Sequence, residues 1–128
     1  MFGLQFFRII VVLLAIIAVL HHFALSNALY VLIPNLDTFV HALAGFTLGL
    51  MSVSIFDKYY NRVVKNHYYA RMFVFLLVVV IVVAVGWEVF EKIIGFTSYL
   101  DVEDTTTDLA AGIIGGIAAY GLHRFIQW

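Results

Sequence analysis

Cysteine does not occur among the 128 residues, and proline occurs once. Disulfides, thiolate metal ligands and thiol nucleophiles are therefore excluded, and the redox compartment leaves no mark on the chain. Charge is scarce as well. Asp, Glu, Lys and Arg make up 12% of the residues, about half of the ~25% typical of a soluble domain. Seven basic residues against eight acidic ones leave a net charge of -1, so the concentrated basic face that nucleic-acid binding requires is missing. Also missing is the regular apolar and polar alternation of barrel strands.

What is present is apolar: 64% of the residues are hydrophobic, and the mean hydropathy is +1.04. These residues come in blocks of helix length, and a bilayer core needs about 20 of them per helix. The expected fold is an all-α integral membrane protein, a four-transmembrane-helix bundle occupying residues 1–128 as a single transmembrane domain. The spans fall at about 9–33, 37–56, 72–94 and 108–126. In the first, Arg8 before an apolar run also suits a secretory signal with cleavage near Ala28; we expect a retained anchor. Pro34-Asn35 ends it, and Asp37 or Thr38 is expected to cap the second. Residues 57–71 form a polar connector and 101–107 an acidic loop and cap. The third span is rich in Val and Ile, but its length argues for a helix.

Short cytoplasmic loops collect Lys and Arg. Lys58, Arg62, Lys65 and Arg71 share the connector between spans two and three, Arg8 and Arg124 sit at the ends, and neither opposite loop holds a basic residue. The expected localisation is the inner membrane, with both termini cytoplasmic. Tyr30, Tyr68, Tyr69, Trp87 and Trp128 fall near membrane edges and read as interfacial anchors.

Six of the eight acidic groups lie between Gly86 and Gly116: Glu88, Glu91, Asp101, Glu103, Asp104 and Asp108. With four spans, Asp37, His41, Glu88, Glu91, Asp104 and Asp108 all fall near the outer face. His21, about 20 Å along its helix from Arg8 at ~1.5 Å per residue, approaches the same depth. A carboxylate in mid-membrane costs about 2.5–3.5 kcal/mol on insertion scales. Several cannot stay ionised together without a cation, protons or basic partners. Lys92 can neutralise at most one of Glu88 and Glu91, and capping or the helix dipole accounts for Asp37 and Asp104. A divalent metal resolves the conflict, with His41, Glu88, Glu91 and Asp108 as ligands and Asp37, Asp104 and His21 behind them. Zn, Mn and Fe suit mixed oxygen and imidazole ligands, and Mg suits oxygen alone.

Two spans also resemble each other. Asp37-x3-His41-x3-Gly45-x3-Gly49 matches Asp104-x3-Asp108-x3-Gly112-x3-Gly116 at an offset of 67. Spacing of four keeps each series on one helical face, and glycines there let helices approach closely in lipid. Two parallel helical hairpins packed as pseudo-symmetric halves are expected.

Taken together, Asp37-x3-His41, Trp87-Glu88-x2-Glu91, Asp104-Thr105-x2-Asp108-Leu109 and Gly112-x3-Gly116 resemble the VanZ-like membrane proteins. They are most similar to small uncharacterised inner-membrane relatives with an Asp-Thr-x2-Asp motif opening the last helix. The resemblance covers residues 37–116 and implies a compact helical bundle whose acidic and histidine positions face the extracytoplasmic side. VanZ-like members are associated with glycopeptide resistance. This chain departs from VanZ in having no arginine between Glu91 and Asp104, and a glutamate at position 91 where glutamine is common, so that role is not carried over.

Three functions are open at this stage. The first is metal-assisted binding or chemistry on a cell-envelope lipid or lipid-linked substrate, with Glu88 or Glu91 as catalytic base. The second is an accessory or structural subunit whose acidic loop docks a partner membrane protein. The third, ranked lower because the cytoplasmic half offers mainly Ser52, Ser54 and glycines, is proton or cation transport.

Overall fold

The computed structural model describes residues 2–60, 67–95 and 102–126, with side chains from 7 onward. Among them are five helices: α1 Phe2–Ser26, α2 Leu29–Leu32, α3 Leu36–Tyr59, α4 Tyr68–Ile93 and α5 Val102–Ile126. Four of these, all but α2, are long and apolar enough to cross a membrane, as the apolar blocks require. The β-branched run in α4 is helical because a lipid-exposed segment has to satisfy its backbone hydrogen bonds internally.

The connector expected at 57–71 is shorter, because α3 runs to Tyr59 and α4 starts at Tyr68; three further differences each have a local reason. The first span does not continue to residue 33. The Ser26 hydroxyl donates to the His22 carbonyl at 2.9 Å and the Asn27 amide to the Phe23 carbonyl at 2.8 Å, which satisfies the last turn of α1. Ala28 then takes a left-handed φ of 53° and the chain turns into α2. The second span is capped by Asn35 at φ 61° without a side-chain bond, so neither Asp37 nor Thr38 is its cap. Asp37 lies in the first turn instead.

The third difference is the acidic stretch, which is helical from Val102 and not a loop up to 107. Its threonines bond back along the helix: Thr106 Oγ1 donates to the Val102 carbonyl at 2.6 Å and Thr107 Oγ1 to the Glu103 carbonyl at 2.8 Å. Asp101, Arg62 and Lys65, named in the expected loops, lie outside the described residues.

The centre of the bundle is the pair α3 and α5. A Cβ on Gly45 would lie 1.9 Å from the Gly112 carbonyl oxygen, and one on Gly115 2.0 Å from the Ala42 carbonyl oxygen. A Cβ on Gly49 would meet Ala119 Cβ at 2.7 Å and the Gly116 carbonyl oxygen at 3.0 Å. Only hydrogen fits at these positions, so the two backbones touch directly. Because Gly45 meets Gly112 and Gly49 meets Gly116, the helices run parallel, with the repeat matched at its own offset.

The outer helices break this symmetry. α4 packs on both α3 and α5, whereas α1 packs along α3 and makes no backbone approach to α4. The two outer helices are also the more apolar and the less buried of the four. That division suits a bilayer, where the more apolar helices give most of their surface to the lipid. Val53, Met72, Leu76 and Val80, all fully buried, form an apolar layer below the middle of the bundle.

Candidate functional site

Each central helix brings one polar residue to the contact just above the glycines. His41 stands one turn above Gly45 and Asp108 one turn above Gly112, and both are buried. α4 adds Glu88 and Glu91 from one face of its last turns, each 5% exposed. The imidazole is the hub. His41 Nε2 lies 3.7 Å from Asp37 Oδ1, 3.8 Å from Glu88 Oε1 and 3.9 Å from Asp108 Oδ2. These separations are too long for direct hydrogen bonds. They lie within the ~4.2 Å that two ligands span across one ion at metal bonds of about 2.1 Å.

Donor atoms within 4.8 Å of one another form two adjoining sets that share the histidine: Asp37, His41 and Asp108, and His41, Glu88 and Glu91. The structure thus brings together His41, Glu88, Glu91 and Asp108, and places Asp37 as close to the imidazole as the rest. Asp104 stands further out and lines a polar vestibule above the cluster with Asp37 and Glu91.

Hydrogen bonds account for only part of this charge. Thr38 donates to the Asp108 carboxylate, and Trp87 Nε1 donates to Glu91 Oε1 at 2.8 Å. Glu88 Oε1 and Asp108 Oδ1 are buried without a hydrogen-bond partner. Among the described residues, no lysine or arginine pairs with Asp37, Glu88, Glu91 or Asp108. The salt bridge through Lys92 is not formed. Buried acceptors of this kind are costly unless something with positive charge or a proton meets them.

His21 lines the same cleft as Asp37 and His41. Its Nδ1 shares a 2.7 Å hydrogen bond with the Tyr30 hydroxyl, and its ring meets Trp87 edge-on with centroids 5.4 Å apart. His22 is exposed, as two adjacent helical residues cannot face one site. The Tyr30 phenol is pushed up to about 12, by burial first and then by the charges of Asp37 and Glu91. It therefore keeps its proton at neutral pH and is able to donate to His21. Tyr30 is half-buried and lines the vestibule above the cluster.

A second polar group lies at the opposite end of the bundle, where sequence reasoning expected little. His123 Nε2 of α5 is 3.3 Å from Asp57 Oδ2 of α3, and the Tyr68 hydroxyl of α4 donates to Asp57 Oδ1. Tyr68, also expected as an anchor, is 7% exposed. The Arg124 guanidinium lies over the Tyr69 ring, 3.7 Å from its centroid. The available signal was Asp57 itself, the one acid in a connector otherwise basic. Its partners come from two other helices, and no spacing rule links them.

No curated protein and no solved structure shows a significant match to the chain. A family match does exist, its description states membrane character without an activity, and it extends over residues 1–127. With four membrane-length helices and a match from end to end, the chain belongs to the family described as "Predicted membrane protein (DUF2238)".

Proposed function

We propose that the protein holds a divalent cation at the cluster around His41 and uses it to bind, or act on, a lipid or lipid-linked molecule at the outer membrane surface. One observation carries this reading. A buried imidazole has carboxylate oxygens from its own helix and from two others at 3.7–3.9 Å, and no lysine or arginine neutralises them among the described residues.

His41, Glu88, Glu91 and Asp108 are the proposed ligands, with Asp37 beside them. The donor set suits Zn, Mn or Fe, and Mg where oxygen dominates. When bound, the ion polarises a phosphate or ester oxygen. Glu91 keeps its orientation through the Trp87 hydrogen bond, and Glu88 or Glu91 is the candidate base. The basic residues at the other end support an acidic end on the extracytoplasmic side and both termini in the cytoplasm. The VanZ-like resemblance, carried by Asp37-x3-His41 and Asp104-Thr105-x2-Asp108, supports the same orientation.

The experiment is elemental analysis of protein purified in mild detergent without chelator. About one equivalent of a transition metal is expected, falling at least fivefold in His41→Ala and Glu88→Gln variants that still elute as folded protein. Metal below a tenth of an equivalent in the wild type after incubation with Zn or Mn at neutral pH overturns the reading. The Asp57, Tyr68 and His123 group favours a second reading, ion or proton movement across the bundle. It ranks below the first because the buried layer of Val53, Met72, Leu76 and Val80 separates the two polar ends.

A further inference from the structure

The gap between α1 and α4 is a cleft of about 460 Å³ floored by α3. It exists because these two helices do not approach each other, although both pack on α3. Leu14, Ile17 and Ala18 line one wall, Val83 and Ala84 the other, and His41 and Asp37 close its polar end. Above it lies the vestibule of about 340 Å³, with Tyr30, Asn35, Thr38, Glu91 and Asp104 in its wall. Asp37 lines both spaces. The His21 and Trp87 rings, both lining the cleft, meet between α1 and α4.

An apolar slot leading to a polar chamber is the shape of a site for an amphiphile. The walls decide which one. Asp37, Glu91 and Asp104 line the vestibule, and no lysine or arginine is among its described lining residues, so in the metal-free site a cationic head group is favoured over an anionic one. The tyrosine and tryptophan rings beside those carboxylates are the surroundings that attract an organic cation. The unpartnered Glu88 Oε1, 3.8 Å from the imidazole that ends the cleft, adds to the same field.

We infer that the α1/α4 cleft and the vestibule above it form one binding site for a long-chain amphiphile with an ammonium head group. The chain lies between α1 and α4, and the head sits among Asp37, Glu91, Tyr30 and Trp87. This rests on the lipid-binding part of the proposed function alone: Asp37 and Glu91 receive the ammonium directly, in the place that reading gives to the metal and to a phosphate or ester.

The test uses protein in nanodiscs with Trp128 replaced (Trp128→Phe), which leaves Trp87 as the single tryptophan. Trp87 emission is followed during titration with dodecylamine, dodecyl phosphate or dodecanol. A saturable change with dodecylamine is expected, at a half-point at least tenfold below that of either control. Ala18→Phe, which fills the cleft from an exposed wall position, and Asp37→Asn should each raise that half-point at least tenfold. Ala18→Phe should leave metal content unchanged.

Unsaturable responses of equal slope for all three probes mean simple partitioning and overturn the inference, as does a response indifferent to both substitutions. Saturable dodecylamine binding by protein that holds no metal supports the inference while removing the proposed ion. Stoichiometric metal with no saturable binding leaves the ion and removes the amphiphile site.

Discussion

Glu88 shows what a single side chain contributes. Its carboxylate is 5% exposed, faces an imidazole at 3.8 Å and leaves one oxygen without a hydrogen bond. Without a cation, a charge there is held against burial and against neighbouring carboxylates. Glu88→Gln should therefore raise the stability of chelator-treated protein, by up to about 4 kcal/mol, the repulsion of two unit charges ~4 Å apart at an effective dielectric near 20. If the proposed ion binds, the order should reverse in the presence of Zn or Mn, since a ligand of the folded state stabilises it by mass action. Unfolding midpoints in detergent, with and without metal, check this; a variant less stable than the wild type under chelation would show that Glu88 has a partner of its own. At this scale the sequence was informative. A glutamate after sixteen uncharged residues is expensive enough to mark itself, whereas Asp57 sits in a polar connector where an acid costs nothing visible.

At the level of elements, α3 and α5 are held together by the absence of side chains. Gly45→Ala would place a methyl 1.9 Å from a backbone oxygen, and that atom cannot yield without the helices moving apart. The expected cost is about 3 kcal/mol, the upper part of the range for overpacking, together with loss of metal, since His41 and Asp108 are carried on the two helices. Gly86→Ala is the contrasting case. Nothing lies within 4 Å of its added Cβ, so stability should hold or rise by up to ~1 kcal/mol from helix propensity. Denaturation midpoints of the two variants separate these outcomes, and equal effects would refute the backbone contact. The paired glycines were legible because a spacing of four is a property of one helix. Which face α4 presents was not legible: its apolar residues run all round, and only packing turns Glu88 and Glu91 inward.

For the whole molecule, the distribution of charge sets orientation. The acidic cluster and the basic residues Lys58, Arg71 and Arg124 occupy opposite ends of the bundle. Reporters fused to the two termini should thus both read as cytoplasmic, and a reporter in the connector of residues 61–66 should agree with them. Opposite readings at the two ends would mean that one of the four helices does not span. The same arrangement produces the cleft, for the repeat that pairs α3 with α5 leaves α1 on one side and lets α4 cover both. The broken symmetry is what opens a lipid-facing gap beside the polar cluster.

Composition and spacing alone determined a four-helix membrane protein, the end at which acids and histidine collect, and the glycine faces that join two of its helices. These follow from hydrophobic length, from the cost of charge in lipid and from a period of 3.6 residues, all of which act along the chain. Tertiary structure decided that Asp37 stands as near to His41 as the carboxylates of other helices, that His21 turns to Tyr30 and Trp87, and that Asp57, Tyr68 and His123 form a second group. Those outcomes depend on how far apart separate helices settle, a distance set by the bulk of the residues between them, and no pattern within one helix carries it.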